Sequence, residues 1–107
     1  RNAVQWYEKI IAAHRAVTDN VSHSERLKSD RYFVWEEEGA EDFFADGRHA
    51  EKAVTGTSDL FTKTEFDPWK EKFEKALDDF KIAWELISID YEEDTGFYHY
   101  EWEWAVT

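Results

Sequence analysis

Residues Trp84 to Val106 read W-E-L-I-S-I-D-Y-E-E-D-T-G-F-Y-H-Y-E-W-E-W-A-V, and this stretch decides the fold. Large apolar residues alternate at Ile87/Ile89/Tyr91 and again at Tyr98/Tyr100/Trp102/Trp104/Val106. Between them lies Glu93-Asp94-Thr95-Gly96, whose glycine can take the positive φ that a tight reversal needs. The segment is therefore read as a β-hairpin. With Glu93 to Gly96 as the loop, the register pairs Tyr91 with Tyr98, Ile89 with Tyr100 and Ile87 with Trp102, which gathers the apolar residues on one face. The other face then pairs Asp90 with His99, Ser88 with Glu101 and Leu86 with Glu103.

Upstream of the hairpin, Asp67-Pro68 is a helix start, a capping residue followed by proline at the first helical position. Trp69, Phe73, Ala76, Leu77 and Phe80 follow at helical spacing and predict a helix over about 68–81. Arg48 to Thr64 reads as one long strand, in which Gly56 marks a bend, a bulge or a close backbone approach. Arg31 to Glu37 is rich in β-formers and reads as the first strand. The acidic run from Gly39 to Gly47 is then a long hairpin loop or a strand and turn. Residues 18 to 30 are polar and read as loop, with room for a short helix around Glu25 to Lys28. Val4, Tyr7, Ile10, Ile11, His14, Val17 and Val21 recur at helical spacing and place an amphipathic helix over about 3–18. The expected fold is α+β: a two-layer sandwich of an antiparallel or mixed sheet of four to five strands, two helices on one face, and a single domain over 1–107.

Composition narrows the function. The chain has 107 residues with 6 Trp, 5 Tyr and 8 Phe against no Met, so its core must be built largely from aromatic rings. Twenty-five acidic residues against 13 basic ones give a net charge of −12, which disfavours direct gripping of nucleic-acid phosphates. The absence of cysteine excludes disulfides and thiolate metal sites and fits a reducing cytoplasm. No apolar run approaches the ~20 residues of a membrane-spanning helix.

Catalytic and metal-binding patterns are not read. The cluster Asp90-Tyr91-Glu92-Glu93-Asp94 does not have the ligand spacing of an EF-hand loop. Glu101 and Glu103 share a strand face that gives them no burial to separate their pKa values. The four histidines, His14, His23, His49 and His99, fall in no zinc-site pattern, and the serines lie in no nucleophile elbow. The chain is accordingly expected not to be an enzyme and to use no metal, cofactor or small-molecule substrate. His14, on the apolar stripe of the first helix, reads as a core or rim residue. The surplus of Trp and Tyr predicts that at least one of Trp35, Trp69, Trp102 or Trp104 reaches a partner surface.

Three blocks, Y-F-V-W-E-E-E-G from Tyr32, G-T-S-D-L-F-T-K-T-E-F-D-P from Gly56 and Y-E-E-D-T-G-F-Y-H-Y-E-W from Tyr91, together resemble a known group. They are similar to tail-completion, or tail-terminator, proteins of long-tailed phages and prophages of Gram-positive hosts. The likeness runs over about residues 31–107. It implies a virion assembly protein that forms a homo-oligomeric ring, commonly of six copies, caps the finished tail tube and meets other tail or head–tail connector proteins. Such a protein works in the cytoplasm of the bacterial host and ends in the tail or at the head–tail interface. DNA passes nearby without specific binding, so Asp90, Glu92, Glu101 and Glu103 are the expected acidic lumen face, where carboxylates repel phosphate. The acidic segment from Glu36 to Asp46 departs from the group's pattern, and a head–tail connector or minor capsid role is the neighbouring reading. A reading of a different class is an acidic DNA mimic that inhibits a host DNA-binding or DNA-processing enzyme.

Overall fold

In a computed structural model the backbone is described over residues 4–45 and 48–107, and side chains over 4–39 and 53–107. The element order is α1 (Trp6–Arg15), β1 (Val21–His23), β2 (Arg31–Ala45), β3 (Arg48–Thr62), α2 (Trp69–Asp79), β4 (Ala83–Glu92) and β5 (Phe97–Val106). The strands form one mixed sheet in the order β1-β2-β3-β5-β4, parallel only between β1 and β2. Both helices pack on the same face, giving the expected α+β sandwich.

Alternation along each strand sorts the residues into two faces. Toward the helices, the rows running across β2, β3, β5 and β4 are Trp35–Ser58–Trp102–Leu86 and Phe33–Leu60–Tyr100–Ile89. Ile10 and Ala13 from α1, and Phe73, Ala76 and Leu77 from α2, close over these rows and complete the core. A ten-residue and an eleven-residue helix are short covers for such a sheet. Indole rings fill the remaining space, with Trp6 packed edge-on to Trp35 and Phe73 edge-on to Trp102.

The helix ends follow from local chemistry. Asp67 accepts the Trp69 N–H at 2.9 Å and so caps α2, as its place before Pro68 predicts. At the other end no glycine is present. Lys81 takes the left-handed conformation (φ 59°), and the N–H groups of Lys81 and Ile82 donate to the carbonyls of Asp78 and Leu77 in a Schellman arrangement. Buried Ile82 supplies the apolar contact that usually accompanies that motif.

Two expectations are corrected and one open alternative is decided. The 18–30 segment holds no helix. Val21–His23 instead forms β1, parallel to Phe33–Trp35, because Val21 and His23 extend the apolar rows; the His23 ring stacks 4.0 Å from Trp35. Three residues are too few to show a period in the sequence. Of the two readings of the acidic run after Gly39, the strand and turn is the one formed: β2 and β3 remain paired to Ala45 and Arg48. The hairpin tip at 46–47 lies outside the described residues. In the last hairpin the pairs nearest the turn hold, but Ile87 is bulged out, so Leu86 faces Trp102 and Glu85 faces Glu103. The unbroken register would have set Glu85 against Trp104 in the core. One extra residue brings Trp84 and Leu86 to the helix side and returns Glu85 to water.

The turn itself behaves as predicted. Gly96 has φ 77°, and its N–H donates to the Glu92 carbonyl at 2.7 Å. Added side-chain atoms would meet only the flexible end of Lys63, at 3.4 Å, so the cost of substitution is conformational. Gly96→Val is expected to lower stability by about 1–2 kcal/mol in urea unfolding, with an unchanged denaturant slope.

Candidate functional site: an acidic open sheet face

The face away from the helices carries the charge. Its rows are Glu36–Thr57–Glu103–Glu85, Val34–Asp59–Glu101–Ser88 and Tyr32–Phe61–His99–Asp90, with Glu92 beyond them opposite Phe97. Asp90, Glu92, Glu101 and Glu103, the expected acidic set, do share one face. The register adds Glu36, Asp59 and Glu85 to them. Neighbouring strands are about 4.8 Å apart, so the carboxylates form a continuous patch and not isolated charges.

The patch has a defined electrostatic centre at His99. Its Nε2 lies 2.7 Å from the Asp59 carboxylate and its Nδ1 lies 3.5 Å from that of Glu92. Facing a carboxylate from both ring nitrogens favours the doubly protonated imidazolium. The hydrogen bond to Asp59 raises the His99 pKa against partial burial, and the charges of Asp59, Glu92 and Glu101 raise it further. Glu101 is itself pushed up, by desolvation and then by the neighbouring carboxylates Asp59, Glu103 and Glu38, with His99 opposing the shift. Burial between neighbouring strands, more than the surrounding charge, therefore sets the protonation of Glu101.

At one end the open face is roofed. Tyr32, Val34 and Phe61 form a small second cluster against Leu27 and Phe97. The Arg26 guanidinium lies 3.9 Å above the Phe61 ring, donates to the Tyr32 hydroxyl at 3.2 Å and stands 3.6 Å from Glu92. The 24–30 connection is thereby tied down, and the exposed acidic area is confined to the rest of the sheet.

Three of the four tryptophans named for a partner surface are buried, and Trp69 is partly exposed. Trp102 is fully buried, Trp104 is 2% exposed and Trp35 is 6% exposed, because alternation sends all three toward the helices. Trp69 is partly buried between Phe33, stacked at 5.9 Å, and the Arg31 guanidinium at 3.8 Å from its ring. Two of these indoles also have their N–H satisfied within the fold: Trp102 donates to Glu74 and Trp104 to Ser58. Aromatic count alone could not separate core filling from display. The burial depends on which strand face the helices cover.

Two buried polar centres are structural in geometry. Asp67 accepts from the Arg31 Nε at 2.8 Å and from Thr62 at 2.7 Å as well as capping α2. Burial acts to raise its pKa, but these hydrogen bonds and the Arg31 charge outweigh it and hold the carboxyl below its usual range. His14 donates from Nδ1 to the Ile10 carbonyl at 2.7 Å. Its Nε2 must then accept from the Ser58 hydroxyl, 2.9 Å away, and that same oxygen accepts from the Trp104 indole. This chain of donors fixes a neutral Nδ1–H tautomer, and the core reading of His14 holds. Among the described residues no group of three or more His, Cys, Asp or Glu is arranged to hold a metal ion, and no helix is long and apolar enough to cross a membrane.

No protein-family model and no curated protein matches the chain. Among solved structures it is similar to a chain from work on the molecular mechanism of H-NOX activation, with 11% identity and a TM-score of 0.44 over 98% of this chain and 50% of that one. The chain spans about half the length of that solved chain, and a likeness at this level carries no functional argument.

Proposed function

We propose that the chain is a non-enzymatic assembly protein of a phage or prophage, acting in tail completion or head–tail joining as a homo-oligomeric ring beside the DNA path. The observation that supports this most is the segregation of carboxylates from β2, β3, β5 and β4 onto one open sheet face, while the helices occupy the other. A ring whose subunits turn such faces inward would have a lumen that repels phosphate, letting DNA pass without adhering. The resemblance of the Tyr32, Gly56 and Tyr91 blocks to tail-completion proteins supports the same reading. A DNA mimic wants its acids in two rails at the separation of duplex strands. A patch spread over four adjacent strands, with His99 pairing its carboxylates at the roofed Tyr32–Phe61 end, does not suit that role.

The test is genetic and visual. Deleting the coding sequence from the genome that carries it should leave tails of uncontrolled length, or heads and tails unjoined, in electron micrographs of the released particles, and supplying the chain in trans should restore them. Normal tailed particles from the deletion would overturn the proposal.

A further inference from the structure

We infer that copies of this chain join through two different apolar patches at opposite edges of the sheet, the β1 edge of one copy receiving the β4 edge of the next; the inference rests on the assembly reading above. The first patch is a cleft of about 420 Å³ between α1 and the start of the sheet, with Trp6, Tyr7, Ile11, Val21 and Trp35 in its walls and Arg15 at its rim. Tyr7 is 43% exposed there. His23 and Glu37 also line the cleft but are paired with each other at 2.6 Å.

The second patch lies where β4 runs past the cover of the helices. Ile87, Ile89 and Tyr91 are 45%, 51% and 54% exposed, and Phe66 is 85% exposed. Phe66 also takes φ 55°, a backbone region that is costly for an aromatic residue. β4 is the last strand of the sheet, so its outer backbone edge is unpaired among the described strands. The Ile87 bulge and the charges of Glu85, Asp90 and Glu92 blunt this edge against strand pairing, so it is the exposed apolar side chains that call for cover. Beside it Glu65, Phe66, Glu71 and Ile89 line a hollow of about 330 Å³; Lys70 in the same hollow pairs with Glu74 at 3.1 Å and with Glu71 at 3.4 Å, which leaves Glu65 as the acid of its border that is unpaired among the described residues.

Charge selects the occupant as a second copy. The first patch has Arg15 at its rim, whereas the second is bordered by Glu65 and Glu71, so the two are complementary to each other and the acidic one is not complementary to itself. The patches sit at opposite ends of a five-strand sheet, roughly 19 Å across at 4.8 Å per strand, so one copy cannot satisfy its own. One patch meeting a different patch is a heterologous contact, which closes into a ring when the rotation per copy divides a full turn and otherwise runs on as a filament. Since both patches lie at the edges of one sheet, repeating the contact would carry every open acidic face around the assembly in the same sense.

The experiment uses Tyr7→Glu, which disables the first patch, and Ile89→Glu, which disables the second, in analytical ultracentrifugation up to about 1 mM protein and 0.5 M salt. Salt is included because −12 per copy makes neighbours repel, and added salt screens that repulsion as the Debye length falls from about 8 Å near 0.15 M to about 3 Å at 1 M. The unmodified chain should assemble, each variant alone should be monomeric with its self-affinity reduced at least 100-fold, and an equimolar mixture should stop at a heterodimer, since each partner keeps one working patch. Arg15→Glu and Glu71→Arg, which touch no apolar side chain, should each weaken assembly and restore it when combined in one chain. A monomeric unmodified chain, a mixture that stays monomeric, or a single variant that still self-associates would overturn the pairing. Assembly that persists in both variants overturns this contact and leaves the ring itself standing. A heterodimer from the mixture alongside normal particles from the gene deletion keeps the contact and removes the phage role.

Discussion

Gly56→Val is expected to lower the free energy of unfolding by about 3 kcal/mol, the upper end of the usual cost of overpacking. A Cβ at position 56 would stand 2.4 Å from Trp104 Cη2 and 2.5 Å from the Glu36 carbonyl oxygen. The carbonyl belongs to the neighbouring strand and cannot move without breaking the β2–β3 ladder. The indole is held in place by its hydrogen bond to Ser58. Relief would therefore displace Trp104 and with it the Ser58–His14 chain that anchors α1 to the sheet. Gly39→Val is the control: a Cβ there meets only Thr55 Oγ1, at 4.0 Å, so its effect should be within about 0.5 kcal/mol. Urea unfolding followed by tryptophan fluorescence compares the two. Equal midpoints would refute the close-approach account of Gly56.

Acidification between pH 6.5 and 4 is expected to remove about 3 kcal/mol through His14 alone. Full burial lowers its pKa from 6.5 to about 4, against a smaller opposing effect of the Ile10 carbonyl. A base whose folded pKa is depressed binds its proton more readily when unfolded, so its stabilising effect is complete above pH 6.5 and is lost as pH falls toward 4. Each pH unit in that window is worth about 1.4 kcal/mol. The structural cause is concrete: a proton on Nε2 would face Ser58, which already accepts from Trp104, leaving the Ser58 hydroxyl hydrogen without its acceptor. His99 acts with opposite sign. Its raised pKa gives stability that is complete below pH 6.5 and is lost as pH rises through the folded value, so it contributes no slope in the acid window. The measurement is unfolding free energy from pH 7.5 to 4 for the native chain and for His14→Phe. The variant is less stable at neutral pH but should have the flatter curve by about 3 kcal/mol. Parallel curves would show that His14 is not the titrating group.

The strongest periodicities determined the elements. Apolar spacing from Trp69 to Phe80 located α2, Asp67-Pro68 marked its start, and Glu93 to Gly96 set the last turn together with the pairs Tyr91–Tyr98, Ile89–Tyr100 and Asp90–His99. These are local signals, carried by neighbours within a few residues, and the α+β class followed from them. Only the tertiary structure decided the rest. The bulge at Ile87 arises because Trp84 and Leu86 gain burial against Trp104 and Trp102, a comparison that exists only once the helices have covered one face. β1 forms because a ready-made β2 edge receives it. Trp35, Trp102 and Trp104 went to the core for the same reason, while Trp69 stays partly exposed. The acidic face was legible as alternating carboxylates on β5, but its true extent, with Glu36, Asp59 and Glu85 joined to Glu101 and Glu103 around His99, depends on β3 lying between β2 and β5. That order links residues up to 67 positions apart in the chain (Glu36 to Glu103), and no local pattern encodes it.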